Sequence, residues 1–188
     1  CFQTLLPFAK ATSSSLNLLS ISKALQLGTS LLVLLSFATL LYGFIISDFS
    51  LALVASHSHS ANPMIYKISG TWGNHEGSLL LWIVILVIFG GIFAKTSATL
   101  PHHFVMLTLA VQGAVTASFL AFSLFTSSPF ERLADAPLDG RGLNPVLQDV
   151  GLALHPPMLY LGYVGLSLAF SMAVAGLIQG KIDQDWGR

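Results

Sequence analysis

Apolar residues come in long uninterrupted runs along this chain. Four stretches, residues 27–47, 78–94, 104–126 and 158–178, hold no Lys, Arg, Asp, Glu or His. A helix that crosses a bilayer takes about 20 such residues at a rise of 1.5 Å each. The pattern predicts an all-α, polytopic membrane protein with four transmembrane helices. Between residues 2 and 26 the apolar run is patchy, because Lys10 and Lys23 interrupt it. Residues 1–26 are therefore expected to form an N-terminal arm or an interfacial segment, and residues 27–188 a four-helix transmembrane domain. No internal repeat divides that domain.

Composition sharpens this picture. The chain is 54% hydrophobic and 9% charged, whereas soluble domains carry about 25% charged residues. So few charges cannot cover a water-soluble surface of 188 residues. Eight basic and eight acidic residues cancel, which leaves no electrostatic footprint for nucleic acid. The one cysteine, Cys1, has no internal disulfide partner. No acidic residue precedes Asp48, and the start is rich in Ser and Thr. That is loosely the composition of an organelle targeting segment, although arginine is missing from it.

Basic residues set the expected orientation. Four spans place Lys10, Lys23, Lys95, Lys181 and Arg188 on the side of the termini, and Lys67, Arg132 and Arg141 on the other. The termini are expected to face the cytoplasm or matrix. The two long loops, residues 48–77 and 127–157, then lie on the periplasmic or intermembrane-space side. These loops hold most of the Pro and His, and long loops of this kind usually carry function.

The charge-free spans argue against a self-contained pump or channel. They also argue against a b-type haem held between helices on buried histidines. Gly90-Gly91, Gly162, Gly165 and Ser167 read as close helix packing.

Three constellations are candidates for chemistry. Around Trp72, the run from Gly70 to Ser78 holds Gly70, Gly73 and Gly77 together with His75 and Glu76. Glycines permit a tight turn, and Trp72 and Trp82 suit the headgroup belt. His75-Glu76 is open to metal or acid–base work. The alternative is an interfacial turn with Ser78 capping the next helix. The second constellation is His57-Ser58-His59, whose two rings point to one side of an extended chain. No further ligand is placed nearby, so a solvated loop is expected. His102-His103, after Pro101, reads as an interfacial helix start.

The third constellation runs from Asn144 to Tyr160. Asn144-Pro145 predicts a turn, and residues 146–154 a short helix lying on the membrane. Pro156 and Pro157 are expected to end that helix and open the last span. His155 is thereby held at the interface. On the residues alone two readings stay open: a metal ligand, or an imidazole hydrogen-bonded to a neighbouring loop. Haem iron accepts an axial histidine, and one histidine supplies one ligand.

Several stretches together resemble a known family. They are Asp48-Phe49 with Val54-Ala55-Ser56, the run from Gly70 through Trp82, Phe125 to Phe130, Gly140 to Asp149, and His155-Pro156-Pro157-Met158-Leu159-Tyr160 continuing to Tyr163. In this order they are similar to the CcmF-type haem lyases of cytochrome c maturation, within the wider CcmF, NrfE and CcsA haem-handling family. The resemblance covers about residues 27–188.

That resemblance implies a subunit of a haem lyase complex. Such a complex receives haem from a CcmE-type chaperone and attaches it to the CxxCH thiols of apocytochrome c, beside a CcmH-type thiol handler. The haem is haem b in transit, ligated jointly with a partner chain. His155 matches the family histidine on the N-terminal flank of the tryptophan-rich WWD segment, so the resemblance makes it an axial ligand to haem iron, the only metal implied. Trp72, His75, Glu76, Asn144, Pro156 and Pro157 are further cofactor-binding candidates, with His75 and Glu76 in the wall of the pocket or near a propionate.

The WWD segment, the second flanking histidine and the pair for the family's integral haem do not occur in this sequence. The expectation is an N-terminal piece of a split protein, not competent alone, which assembles with a WWD-bearing polypeptide. The mitochondrial inner membrane is the favoured location and a bacterial inner membrane the alternative. The contrasting function is a non-catalytic scaffold in a respiratory complex.

Overall fold

The computed structural model describes residues 15–180. Its helices are α1 (Ser15–Ile46), α2 (Ala52–His57), α3 (Met64–Gly70), α4 (His75–Thr96), α5 (His102–Thr126) and α6 (Val150–Gln179), with single 3-10 turns at Ser97–Thr99 and Pro145–Leu147. Four of them, α1, α4, α5 and α6, are long and apolar enough to cross a membrane. The only extended pairing among the described residues is an isolated antiparallel bridge between Leu51 and Arg132. The all-α, four-span architecture expected from the apolar runs is therefore what forms. Over their most apolar windows, 72% of α4 is buried but only 28% of α1 and 22% of α6. The outer faces of α1 and α6 are left to lipid or to other protein.

Two boundaries differ from expectation. The predicted arm lies partly outside the described residues, but from Ser15 onward it is the start of α1. Lys23 and the hydroxyl and amide residues around it do not break a helix. The Ser22 hydroxyl donates to the Leu18 carbonyl (3.0 Å), and Ser22, Gln26 and Ser30, four apart, form a buried stripe. At the other end, no separate surface helix precedes the last span. α6 begins at Val150 and passes through Pro156 and Pro157 without a break.

The described chain divides into two compact units, and each long helix contributes a part to both. The terminal unit contains the described residues up to Val33, Ile85–Phe119 and those from Gly162 onward. Its helices are tied by amides to main chain. Gln112, fully buried on α5, donates to the Leu86 carbonyl of α4 (3.0 Å) and to the Ser167 hydroxyl of α6 (3.1 Å), and accepts from Ser171 (2.8 Å). On the opposite flank Ser30 donates to the Val87 carbonyl (2.9 Å), joined at 3.4 Å by Gln26. Neighbouring carbonyls of α4 thus accept from two different helices. In hydrocarbon such polar side chains must find partners inside the protein. Gly90 makes room: a Cβ there would stand 2.6 Å from the Gln26 amide nitrogen. Gly165 likewise admits the Phe89 ring, whereas Gly162 faces open space, so close packing explains the first and not the second.

The loop unit contains Leu34–Val84 and Leu120–Leu161. Leu40, Phe44, Leu51, Leu53, Val54 and Leu80 form its core, with Phe37 and Phe49 packed on it. The first long loop contains α2 and α3. The second runs over residues 127–149 and is fastened by its backbone. The amide of Ala52 donates to the Glu131 carbonyl (2.9 Å) and that of Leu133 to Ser50 (2.9 Å), while Arg141 and Gly142 donate to Ala55 and Ser58 (2.8 and 3.0 Å). Gly140 is required here, because a Cβ would stand 2.0 Å from the Ser58 carbonyl oxygen.

Candidate functional site

The candidate residues all fall in the loop unit, at the ends of α3, α4 and α6. The chain leaves α3 and turns through Trp72-Gly73 into α4. Asn74, not Ser78, caps α4: its carboxamide oxygen accepts the Gly77 amide (2.7 Å), and its nitrogen donates back to the Gly70 carbonyl (2.7 Å). Gly77 is pressed against the turn, where a Cβ would stand 1.7 Å from the Thr71 oxygen. Ser78 lies one turn into the helix, and its hydroxyl pairs with that of Tyr160. The Tyr160 ring stacks on Trp82, with centroids 6.3 Å apart and planes at 20°.

The approach to α6 is built as tightly. Leu143 is buried and, with Leu147, reaches towards Gly73. The Asn144 side chain accepts the Val146 amide (3.0 Å) and opens the 3-10 turn. Gln148 donates to the Leu143 carbonyl (2.9 Å), and Asp149 caps α6 through the Leu152 amide (3.0 Å). That acidic cap explains why α6 starts at Val150 and not at the prolines. Proline is disruptive inside a helix because it cannot donate to the carbonyl four residues back. Pro157 leaves the Ala153 carbonyl without that donor. The Trp72 indole nitrogen donates to this same oxygen, at 2.8 Å.

Ala153 is buried and Tyr160 half-buried, so this face of α6 turns inward. His155 lies on the other face. It is exposed beside the exposed Leu152, Met158 and Leu159, and its ring has no hydrogen-bond partner among the described residues. Of the two readings open in the sequence, an imidazole bonded to a neighbouring loop is not found among the described residues. His75 is exposed at the first position of α4 and Glu76 is half-buried beside it; neither side chain is paired within the described residues. Trp72, His75, Glu76, Asn144, Pro156 and Pro157 thus belong to one folded end of the unit, but the Trp72 indole N–H and the Asn144 carboxamide oxygen are committed to main chain.

Three of the other histidines, His57, His59 and His103, are tied into the fold. The His57 Nδ1 bonds to the Leu53 carbonyl (3.1 Å). The His59 Nδ1 accepts the Ala61 amide (3.1 Å), and its Nε2 faces Asp139 at 3.5 Å. Asp139 is held down at about 2, chiefly by the Ser60 hydroxyl, then by the Ser60 and Gly140 amides and the His59 ring. Asp48 is also lowered, foremost by the Ser50 hydroxyl (2.6 Å). His103, on α5 in the terminal unit, meets the Gln179 amide at 3.0 Å. No group of three or more His, Cys, Asp or Glu is gathered to hold a metal among the described residues. A metal-bearing substrate could take a ligand from His155, but not a full set from this chain's described part.

Sequence comparison identifies the arrangement. The profile described as cytochrome C assembly protein matches residues 72–186, from the Trp72 turn through the whole of α6. The chain belongs to the cytochrome c assembly protein family. Among its relatives, the cytochrome c-type biogenesis protein ccl1 of Rhodobacter capsulatus is 50% identical over 99% of this chain and 28% of its own. The biogenesis protein CycK of Bradyrhizobium diazoefficiens is 49% identical over the same shares. A solved structure of the cytochrome c haem lyase CcmF superposes with a TM-score of 0.80 at 28% identity, over 98% of this chain and 28% of that one. This cytochrome c assembly protein therefore spans about 28% of the length of the relatives it matches. Its relatives are named for cytochrome c biogenesis, and four of its helices are long and apolar enough to cross a membrane.

Tyr160, Asn74 and the Ala153 carbonyl are parts of the family fold that the sequence reading left without a role. The signal for the last was present, since a proline inside a helix announces a carbonyl in need of a donor.

Proposed function

We propose that the chain is one part of a haem lyase, with His155 as an axial ligand to haem b in transit. The observation that carries this is the exposed, unpartnered imidazole on the outer face of α6, set among apolar side chains. A flat apolar macrocycle can lie on Leu152, Met158 and Leu159 while the ring nitrogen meets its iron. Neutral imidazole is the ligating form. A second axial ligand comes from a WWD-bearing CcmF segment, which belongs to the part of the family's length that this chain does not span.

The reaction adds a cysteine S–H across a haem vinyl group. A C–S bond forms at one vinyl carbon and the proton ends on the other, so no oxidant is consumed. Reduced thiols are the requirement, and a CcmH-type partner supplies them; a CcmE-type chaperone delivers the haem. His155 fixes the iron and leaves the vinyl edge to the CxxCH peptide. His75 and Glu76, at the start of α4, are placed for a propionate or a partner loop. The mitochondrial inner membrane is the proposed location.

Affinity isolation in mild detergent tests this reading, with mass spectrometry and a reduced-minus-oxidised haem spectrum. A WWD-bearing partner and a haem signal lost or shifted in His155→Ala are expected. Respiratory subunits and a haem signal indifferent to His155 would instead mark a scaffold.

A further inference from the structure

Trp72 is more than a headgroup anchor. We propose that its indole N–H substitutes for the amide that Pro157 lacks, and so positions the first turns of α6 with His155 turned outward. The role of His155 rests on the haem-ligand reading above; the geometry of α6 does not.

The bond joins two motifs far apart in sequence. Trp72 Nε1 donates to the Ala153 oxygen at 2.8 Å. Ala153 stands four residues before Pro157, at the position whose carbonyl an ordinary amide at 157 would serve. Ala153 is only 6% exposed, so water does not readily replace the donor, and a buried carbonyl without one is costly. Pro156 creates the same vacancy at the Leu152 carbonyl, but Leu152 is 43% exposed. One of the two carbonyls needs a protein donor, and that one has it.

The consequence for His155 is directional. Ala153, Pro157 and Tyr160 follow the inward face of α6 at helical spacing, and His155 points away from it. Two turns beyond the indole bond, the Tyr160 hydroxyl pairs with Ser78 and its ring stacks on Trp82. Trp72 and Tyr160 therefore hold α6 at two points that bracket His155. A rotation or fraying of these turns would carry the imidazole off its line without removing it. Trp72 is thus a positioning residue, and its indole N–H is not available to a ligand.

Proline supplies its own control. Pro157→Ala restores an amide that reaches the Ala153 carbonyl from within the helix, whereas Pro156→Ala serves only Leu152. The test uses the chain in its native assembly, reconstituted in lipid nanodiscs, with Trp72→Phe alone and combined with each proline change. Amide exchange over residues 152–160 and the haem spectrum are read together. Trp72→Phe should speed exchange there at least about fivefold, the factor matching one lost buried hydrogen bond, and should shift the haem spectrum. Adding Pro157→Ala should return both to within about twofold of Pro157→Ala alone, and adding Pro156→Ala should return neither. Exchange unchanged by Trp72→Phe, or rescue by either proline change equally, overturns the proposal. If the rescue in exchange holds but His155→Ala leaves the haem spectrum unchanged, the helix positioning stands and the haem-ligand reading falls. If His155→Ala abolishes the haem signal while Trp72→Phe changes nothing, the reverse is true.

Discussion

The two units solve the same problem, unsatisfied polar groups in an apolar protein, by different means. In the terminal unit, side chains on the membrane helices reach neighbouring main chain, Gln112 to Leu86 and Ser30 to Val87. In the loop unit the irregular chain is also tied backbone to backbone, Ala52 to Glu131, Leu133 to Ser50, and Arg141 and Gly142 to Ala55 and Ser58. The difference follows from where amides are free. A continuous helix has used its own amides internally, so only side chains are left to bind the helices together. A loop has its amides to spare and must place them. The indole of Trp72 does in the loop unit what Gln112 does in the terminal one, and the carbonyl it reaches is one from which proline has removed the helix's own donor.

The sharpest break of this contrast is at Gly77. Alanine there would push its Cβ into the Thr71 carbonyl. A clash with backbone cannot be relieved by a rotamer change, so Gly77→Ala should cost about 3 kcal/mol or more. It should be read as lost abundance in the membrane and lost exchange protection across the loop unit.

Next is Gln112→Leu, which removes three side-chain contacts inside the terminal unit at once. Interhelical hydrogen bonds of this kind are each modest, so a loss of about 1–2 kcal/mol is expected in nanodisc thermal unfolding. Exchange in the loop unit should stay unchanged; a loss there would mean that the units do not carry their bonding separately. Gln26→Leu, whose contacts to Val87 and Ser30 are both 3.4 Å, should cost less than Gln112→Leu in the same assay.

The smallest effect concerns pH. Asp139 titrates near 2 in the folded chain, below its ordinary 3.8. The stability its bonds to Ser60 contribute is therefore fully present above about 4, and is lost as pH falls from there through 2. Limited proteolysis near Arg141 should accelerate across that window in the wild type. Asp139→Asn should show the faster cleavage already at neutral pH and respond little to acid.

The spans were legible because their signal is additive: twenty apolar residues outweigh any local ambiguity. The start of α1 was not, because Lys23 interrupts the apolar run, and the spacing of four in Ser22, Gln26 and Ser30 gains a meaning only when matched to acceptors on α4. The same holds for the prolines. Proline at a first helical turn is the common case, and only the Asp149 cap reveals that the helix has already begun. Asn74 was passed over as a cap in favour of Ser78, although Asn with an acidic residue just after it is the stronger start signal. The resemblance picked out the right stretches, but not why they go together. Gly73 lies under Leu143 and Leu147, Trp72 on Ala153, and Ser78 and Trp82 on Tyr160. Such pairings between distant segments leave no periodic trace in a single sequence.

The length of α6 has one more consequence. Thirty residues make a helix of about 45 Å, against a hydrocarbon layer of about 30 Å. Centred across that layer, the helix would overreach it by about 7 Å at each end. His155 stands five residues in from Val150, or about 7 Å along the axis. Its ring would then sit at the depth where acyl chains give way to headgroups. A flat molecule with an apolar body and a carboxylate edge is oriented by that gradient alone, before any side chain touches it. The membrane boundary would itself turn such a molecule's acidic rim toward water and leave its face to the imidazole.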